Sequence, residues 1–328
     1  MSDTAATLRD APADVLEKYE LYKRVADGGN GTIDFGLSRE KVRAYKHIAR
    51  DPSFYSHVRR DLVAVKLPFG FPVARTAAWA EVQCLEVIRA AVETPGFSMF
   101  KDSFAEIVDA DRKHDDVGEC YWFVMRAVES GVTLNTLNLA FIDTSHIYKA
   151  MPIGLISHIF LKLGAALEFL QEELGLRHGD VKDFNVMIRE NAANPEFPDP
   201  VLVDFGTAFK ADVDTGPSKY DRRNFCRMIY VLTERHTDNE KVCGCPGKHP
   251  EGWKEFVQAM KDDRKKTSEK SMREILKTFK GRTLGYKNSM QAHEIIHVRH
   301  VLQTEVDVAM DEEGIEDSEI KLSIFQEK

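Results

Sequence analysis

The feature of this sequence that most constrains its fold is a pair of short polar blocks in the second half of the chain. The first block, residues 178–185, reads His-Gly-Asp-Val-Lys-Asp-Phe-Asn, and the second, residues 204–206, reads Asp-Phe-Gly. Three consecutive apolar residues, 201–203, precede the second block and are typical of a short buried strand. The chain therefore places an acid near a lysine and an amide, with a second acid beyond a short strand.

These residue types suit the transfer of a phosphoryl group from a nucleotide to a hydroxyl. The magnesium ion that accompanies a nucleoside triphosphate prefers carboxylate and amide oxygens, which Asp204 and Asn185 can supply. The transfer itself needs mainly positioning and neutralisation of charge. Asp180 is suited to orient or deprotonate the hydroxyl, and Lys182 offers a compact cation to the transferring group. We therefore predict Asp180 and Lys182 as catalytic residues, and Asn185 and Asp204 as metal ligands.

With both blocks present, the chain resembles the protein-kinase-like superfamily. The catalytic loop of that family reads His-Arg-Asp-x-Lys-x-x-Asn, and residues 178–185 match it except that Gly179 replaces the arginine. The metal-binding triplet of the family is matched by Asp204, Phe205 and Gly206. The resemblance implies an α+β fold of two lobes, a small β-rich N-lobe and a larger α-helical C-lobe. It also implies ATP and Mg²⁺ as cofactors.

The resemblance further implies an upstream lysine that binds the ATP phosphates and a glutamate that pairs with it. Lys66 interrupts the apolar run 63–67, as a functional lysine on a buried strand would. Downstream, residues 77–91 favour a helix, and Glu81 stands four residues before Leu85, an offset at which the family's glutamate is typically followed by an apolar residue. Glu86 is the second choice. A lysine at a strand edge and a solvated helix face are the alternative interpretations.

A glycine-rich segment precedes this strand. Residues 28–36 contain Gly29 and Gly31 in a spacing like that of the family's phosphate-binding loop, with Asp34 in place of the third glycine. Glycines let backbone amides approach phosphates, whereas an acid would repel phosphates unless it points away. A flexible surface turn is the alternative. Because the connection to the lysine strand is longer than in the family, we predict that residues 38–62 are an inserted helical segment.

The aromatic-rich run 120–125 predicts a buried strand. In the family such a strand ends where the adenine-binding segment begins, which implies that Met125 lies at the back of the pocket and that residues 126–128 offer backbone hydrogen bonds to adenine. A simple core strand is the alternative interpretation. The residues expected around the nucleotide are Gly29, Gly31, Ala64, Lys66, Glu81, Met125, Arg126, Val128 and Met187.

Two apolar stripes predict helices behind the catalytic loop. Over residues 155–174, apolar side chains recur at three- and four-residue intervals, as in a long core helix, and Gly175 follows as its C-cap. A second stripe covers residues 220–232. In the family an aspartate at the start of this second helix binds the backbone of the catalytic loop, and Asp221 has that position. An acid stabilised by the helix dipole is the alternative.

Two departures from the family bear on the substrate. Gly179 removes the arginine that binds a phosphorylated activation loop in many protein kinases, and the stretch from Asp204 to Asp221 is short and lacks an Ala-Pro-Glu triplet. Small-molecule kinases that resemble the aminoglycoside and choline phosphotransferases show both features. Lys182, in contrast, is typical of Ser/Thr protein kinases. The sequence favours transfer to Ser or Thr of a protein. A small-molecule kinase and a catalytically silent pseudokinase or nucleotide-binding scaffold are the alternatives.

The length of 328 residues suits one two-lobed domain. We predict an N-terminal tail over residues 1–20, the N-lobe over 21–130, the C-lobe over 131–307 and an acidic tail over 308–328. A formal net charge of -8 disfavours nonspecific binding to nucleic acid. The sequence shows no typical membrane span or signal peptide, so we expect no membrane partner and a cytoplasmic or nuclear location.

The cysteines bear on the redox environment and on metal binding. Their number is five, without a disulfide-like pattern, which fits a reducing compartment. Cys243 and Cys245, with His236 and His249 nearby, could bind zinc, but the spacing is not a usual one. Free thiols in a Gly/Pro turn are the favoured interpretation.

Overall fold

The computed structural model describes residues 11–45, 54–128, 131–143, 150–191, 197–210, 219–236, 249–265, 268 and 270–308. The chain divides into an N-terminal unit, assigned residues 1–89, 105–131 and 306–328, and a C-terminal unit, assigned 90–104 and 132–305. The class is α+β, with an antiparallel sheet in the first unit and mainly helices in the second. At this coarse level the predicted fold class is confirmed.

A five-stranded antiparallel sheet of order β1-β2-β3-β5-β4 forms the centre of the N-terminal unit. Its strands are β1 (Tyr19–Asp27), β2 (Gly31–Ser38), β3 (Val63–Pro68), β4 (Ile107–Ala110) and β5 (Phe123–Arg126). Side chains alternate between the two faces of a strand. Val63 and Val65 therefore share one face of β3, where they join a buried cluster with Trp122 and Val124, and Lys66 lies on the opposite face.

The segment that was predicted to be an N-terminal tail contains ordered structure. Helix α1 (Ala13–Lys18) leads directly into β1, and its Val15 is fully buried in the cluster of Val63 and Val65. Six residues make too few turns for an apolar repeat to be recognised. The helix therefore owes its place to packing against the sheet.

The predicted insertion is helical in its described part. It forms α2 (Arg39–Tyr45) and α3 (Phe54–Asp61), and residues 46–53 lie outside the described part of the chain. The two helices close a second apolar cluster at the end of the sheet, formed by Leu37, Val42, Tyr45, Val58, Leu62 and Ala127. The insertion is therefore part of the core of this unit.

Helix α4 (Pro72–Val92) follows β3 and begins earlier than the 77–91 stretch that the composition predicted. Proline is well tolerated in the first turn of a helix, because the amide it lacks would have no partner there. The helix can therefore start directly after the loop that leaves β3.

Six helices make up most of the described part of the C-terminal unit. They are α5 (Leu134–Asp143), α6 (Ile153–Glu172), α7 (Lys219–Thr233), α8 (Trp253–Asp263), α9 (Met272–Asn288) and α10 (Ala292–Val308). Helices α6 and α7 confirm the two predicted apolar stripes, and Gly175 adopts a φ of +62° just beyond α6. Helix α9 packs closely on α6, because a Cβ on Gly164 would lie 2.6 Å from Leu276.

Two short two-stranded sheets frame the predicted catalytic loop. Strand β6 (Leu176–Arg177) pairs with β9 (Phe209–Lys210), and β7 (Val186–Arg189) pairs with β8 (Asp199–Leu202). The chain leaves β6 into residues 178–185 and enters β7 directly afterwards. The two polar blocks of the sequence are thus held at the ends of paired strands.

Among the described helices, α6 alone is long and apolar enough to cross a membrane by length and composition. Its most apolar window is 72% buried within the structure. Packing in the core therefore accounts for its apolar character.

Three cysteines in the described part of the chain, Cys84, Cys120 and Cys226, are buried and form no disulfide. Burial raises the pKa of Cys120 and of Cys226 to about 12, so these thiols stay protonated. Cys243, Cys245 and the predicted acidic tail beyond Val308 lie outside the described residues.

Candidate active site

The backbone of the loop 178–185 is held by Asp221 in the first turn of α7. This carboxylate is buried, and its two oxygens accept the amide protons of His178 and Gly179, each at 2.8 Å. The hydrogen bonds that the resemblance implied for Asp221 are therefore present. They fix the direction in which the chain enters the loop.

Gly179 is required by the local geometry. Its φ is +83°, and a Cβ at this position would lie 2.5 Å from the carbonyl oxygen of Thr207. The Thr207 hydroxyl in turn donates to the carbonyl oxygen of His178 at 3.1 Å. The first polar block thus touches the residue that follows the second block, and no larger side chain fits at the position where the family has arginine.

His178 is buried and neutral. Its Nδ1 accepts the amide proton of Asp180 at 3.2 Å, so its Nε2 is the protonated nitrogen and donates to the carbonyl oxygen of Val203 at 3.0 Å. Burial lowers the pKa of this imidazole, although neighbouring carboxylates and the Val203 carbonyl oppose the shift. The histidine therefore orients the backbone of Asp180 rather than acting as an acid.

The three predicted residues Asp180, Lys182 and Asn185 form one cluster. Asp180 Oδ2 accepts from Lys182 Nζ at 2.5 Å and from Asn185 Nδ2 at 3.0 Å. Asn185 Nδ2 also donates to the Asp180 carbonyl oxygen at 2.9 Å. The side chains of Asp180 and Lys182 are 36% and 46% exposed, so a substrate can reach both.

The second block lies beside the first. The amide of Val203 donates to the carbonyl oxygen of Asn185 at 3.0 Å, which continues the pairing of β7 with β8 and brings Asp204 next to Asn185 along the backbone. Asp204 has a φ of +63°. A left-handed conformation costs a non-glycine residue about 1–2 kcal/mol and occurs preferentially at functional sites. Phe205, which follows, is 1% exposed and packs edge-on against the ring of His178.

The donor atoms of Asn185 and Asp204 fit a magnesium ion. Because the amide nitrogen of Asn185 faces Asp180, its amide oxygen is the end that can bind a cation, and Asp204 adds a carboxylate. Such an ion typically takes one or two protein oxygens and keeps several waters. Within the described ranges, no three or more His, Cys, Asp or Glu side chains cluster in a way that would hold a metal.

In the N-terminal unit, Lys66 and Glu81 form a buried ion pair. Lys66 Nζ on β3 lies 2.7 Å from Glu81 Oε2 on α4, and the two side chains are 11% and 1% exposed. Glu86, the second choice, instead contacts Arg112. The lysine therefore pairs with the glutamate that the helical spacing favoured.

The glycine-rich segment forms the tight turn between β1 and β2. The amide of Gly28 donates to the carbonyl oxygen of Gly31 at 2.8 Å. A Cβ on Gly31 would lie 2.4 Å from the carbonyl oxygen of Leu67, whereas a Cβ on Gly29 would meet nothing within 4 Å. Gly31 is thus needed for the close approach of β3, whereas a side chain at Gly29 would have open space.

Asp34 points away from the face that carries Lys66. It pairs with Val65 across the sheet, so its side chain lies on the face of Val65, and Ile33 is the residue opposite Lys66. The Asp34 carboxylate is fully buried and accepts from Arg24 Nε at 3.0 Å. The repulsion of phosphate that an acid in this segment would cause therefore does not arise here.

The predicted adenine-binding segment is only partly available. Met125 is buried and lies opposite Ala64 on β3. The amide of Arg126 donates to the Glu106 carbonyl oxygen at 2.9 Å, and that of Ala127 donates to the Leu62 carbonyl oxygen at 3.0 Å. The amides of Arg126 and Ala127 are therefore already bonded within the N-terminal unit.

The remaining predicted residues of this group are Val128 and Met187. Val128 is buried, and its carbonyl oxygen accepts from Gly131 at 3.0 Å. In the C-terminal unit, Met187 is half-buried on β7 and lies opposite Val201 and Thr133. The structure gives neither residue a contact that would assign it a role.

Three contacts between elements could not be predicted from the sequence: Arg24 with Asp34, Thr207 with Gly179, and Arg75 of α4 with Glu119. Each joins residues on different elements, so no local repeat or motif marks it. A correct register of β1 with β2 would have predicted the first, and the others depend on tertiary packing.

Comparison with known proteins does not assign the chain to a family. No family model matches the sequence, and no curated protein matches it significantly. What the chain does is therefore inferred from its own residues and their geometry.

Proposed function

We propose that the chain is an ATP-dependent phosphotransferase of the protein-kinase-like type, which transfers the γ-phosphoryl group of MgATP to Ser or Thr of a protein. The buried Lys66–Glu81 pair carries this proposal. Protein kinases need an ion pair between a lysine on the third strand and a glutamate on the following helix. Burial of two charges is unfavourable unless they are well paired, so hydrophobic packing alone does not explain such a pair.

The proposed roles follow from the geometry of each unit. Lys66, held by Glu81, would bind phosphate oxygens. Asn185 and Asp204 would hold Mg²⁺, which neutralises phosphate charge when it is bound. The carboxylate of Asp180, oriented by Lys182 and Asn185, would accept the proton of the attacking hydroxyl, and Lys182 would neutralise charge on the transferring group.

A small-molecule kinase is the second candidate, and Gly179 is the observation that favours it. The contact of Gly179 with Thr207 leaves no room for the arginine that would bind a phosphorylated loop. A site without that switch suits a substrate that needs no docking segment.

Replacement of Asp180 by Asn tests the proposed mechanism. We expect the transfer rate to fall at least about 10²-fold, the lower range for loss of a general base, while MgATP binding persists. Asp183→Asn, in the same loop, is the matched control and should leave the rate close to that of wild type. Radiolabelled phosphate transfer measures the rate, and calorimetric titration measures binding.

The same assay, run in parallel on a peptide library and on a panel of hydroxylated metabolites, identifies the acceptor class. Labelling of peptides supports the first candidate, and labelling confined to metabolites supports the second. If wild type labels no acceptor, including itself, the chain is not a phosphotransferase, and nucleotide binding alone would indicate a scaffold.

A further inference from the structure

Helix α4, which carries Glu81, is attached at both ends to one neighbouring stretch of the N-terminal unit. Arg75 lies in its first turn, and Glu86 and Arg89 lie in its last two turns. Each of these three side chains has a partner within residues 107–121, which comprise β4 and the connection to β5, and Arg75 also contacts Gly70. The helix is thus held at both ends by polar contacts.

The contacts near the C-terminal end of the helix are made by Glu86 and Arg89. Both carboxylate oxygens of Glu86 accept from the guanidinium of Arg112. Arg89 Nη1 donates to the carbonyl oxygen of Ile107 at 3.2 Å. At the other end of the helix, Arg75 makes the polar contacts of the first turn.

Arg75 has the largest set of partners. Its Nη1 donates to Tyr121 Oη at 2.5 Å and to Glu119 Oε2 at 3.2 Å, and its Nη2 donates to the carbonyl oxygen of Gly70. Its guanidinium also lies over the Tyr121 ring, 4.3 Å from the centroid, and its carbonyl oxygen accepts from the amide of Cys120. The rigid planar fork of arginine suits several simultaneous partners, which lysine cannot reproduce.

Through Gly70 these contacts reach the glycine-rich turn. Gly70 follows Phe69, whose amide donates to the carbonyl oxygen of Asn30 at 3.0 Å. Pro68, the last residue of β3, lies opposite Gly31. Arg75 therefore joins three parts of the proposed phosphate-binding half: the start of α4, the loop after β3 and the glycine-rich turn.

The Lys66–Glu81 pair depends on the exact position of α4. A helix rises 1.5 Å per residue, so a slip of even one residue would break the 2.7 Å contact. The slip would leave a buried carboxylate without its partner, which is strongly unfavourable. Any side chain that fixes the first turn of α4 thus also protects this pair.

We propose that Arg75 is a positioning residue that keeps Glu81 bound to Lys66, so that this half of the site is assembled without an activating partner or a phosphorylation. The proposal rests on the proposed function for the importance of the pair to nucleotide binding. The positioning role itself can be measured without nucleotide.

The first test is the accessibility of Lys66 to an amine-acylating reagent, read residue by residue by mass spectrometry on the intact chain. In Arg75→Ala we expect Lys66 to be labelled about tenfold faster, the change that loss of one charge-assisted hydrogen bond typically produces. Arg75→Lys, which keeps the charge but not the fork, should also label faster. Unchanged labelling of Lys66 in Arg75→Ala overturns the proposal.

Two further variants keep this test decisive. Arg273 contacts the carboxylates of Glu168 and Glu172 in the C-terminal unit, so Arg273→Ala is a matched control and should not alter Lys66 labelling. If Arg75→Ala fails to fold, Tyr121→Phe, which removes one hydrogen bond and keeps the ring, should give a smaller rise in the same direction. No rise in Tyr121→Phe would then overturn the proposal.

The second test is a double-mutant cycle read by the affinity for MgADP. If Arg75 acts through Glu81, Arg75→Ala should weaken binding in wild type by about tenfold but have little effect in a Glu81→Gln background. Equal effects in both backgrounds would indicate a merely structural role. Failure of wild type to bind MgADP would reject the proposed function, whereas the labelling result would still decide the role of Arg75.

Discussion

Gly175 and Gly179 show how two glycines of similar backbone conformation can have different importance. Both adopt positive φ, +62° and +83°. A Cβ on Gly175 would meet nothing within 4 Å, whereas a Cβ on Gly179 would contact the carbonyl oxygen of Thr207 at 2.5 Å. Alanine at either position carries the strain of a left-handed conformation. Alanine at 179 must in addition push Thr207, which directly follows the second polar block, away from the first block.

We therefore expect Gly175→Ala to lower the free energy of unfolding by about 1–2 kcal/mol and to keep phosphate transfer. Gly179→Ala should lose more stability than this and should also lose the proposed transfer, because Thr207 and the neighbouring residues proposed as metal ligands must move. Urea denaturation and the transfer assay measure the two effects. Equal losses of stability and activity in both variants would show that the Thr207 contact has no importance.

Among single residues, the sequence predicted those that a motif or a regular spacing marks. Lys66, Glu81 and Asp221 were found because spacing and family pattern mark them, and the structure gives each the expected partner. The Arg75 contact with Glu119 joins residues far apart in sequence. Such a contact depends on the register of β4 with β5 and on the bend of the connection between them, which no local pattern encodes.

Among the elements, the inserted pair α2–α3 has the least expected role. The two helices complete an apolar cluster with Leu37 of β2 and Ala127, which follows β5. Val58 of α3 is fully buried with Leu37 and Ala127, and Tyr45 donates to Asp61 Oδ2 at 2.5 Å, which ties α2 to α3. Burial and the carboxylate raise the pKa of Tyr45. Leu62, directly after α3, accepts from the amide of Ala127 at the predicted adenine-binding segment.

Val58→Ala should therefore lower the free energy of unfolding of the N-terminal unit by about 2 kcal/mol, because two buried methyl groups are lost and a cavity is left. Val87→Ala, on the exposed face of α4, is the matched control and should change stability by no more than about 0.5 kcal/mol. Denaturation followed by hydrogen exchange of each unit measures this. Equal effects would mean that the insertion is not part of the core.

The elements themselves were predictable where an apolar repeat is long. Helices α6 and α7 and strand β3 follow from periodicity, and the insertion was correctly expected to be helical in its described part. Helix α1 and the first turn of α4 were missed. Both are held by contacts with the sheet and its connections, Val15 in one case and Arg75 in the other, rather than by a local preference.

Across the C-terminal unit, three histidines, of which His158 and His178 are buried and His236 is partly buried, share one electrostatic property. Burial is the largest cause of a lowered pKa in His158, His178 and His236, and for His236 it lowers the pKa to about 4. His236 Nε2 contacts the carbonyl oxygen of Met151 at 2.8 Å. The folded state keeps these imidazoles neutral. They therefore contribute fully to the free energy of unfolding above their unfolded pKa of about 6.5, and this contribution to stability is lost as pH falls below that value.

We expect the free energy of unfolding to decrease between about pH 6.5 and pH 4, with His236 responsible for roughly 3 kcal/mol at most. His236→Gln, whose side-chain amide can still donate to Met151, should flatten this dependence. His300→Gln, at an exposed position of α10, is the control. Denaturation curves followed by helical circular dichroism at a series of pH values test this, and an unchanged slope in His236→Gln would contradict it.

For the whole chain, the two polar blocks implied an α+β class with a sheet-rich first part and a helical second part through the family resemblance that they carry. They did not predict that residues 90–104 group with the C-terminal unit, or that a helix precedes β1. Both depend on contacts between distant segments, such as the pairing of Arg189 with Asp102 at 2.7 Å.

The burial of Phe205 has a consequence for chemical probes of this chain. The ring lies between His178 and Phe104, with centroid distances of 4.7 Å and 6.3 Å, and is almost inaccessible to solvent. A compound that acts by expelling this ring would first have to expose it, at a penalty of roughly 2–3 kcal/mol. Compounds that leave Phe205 in place are therefore the better starting point for a ligand of the candidate site.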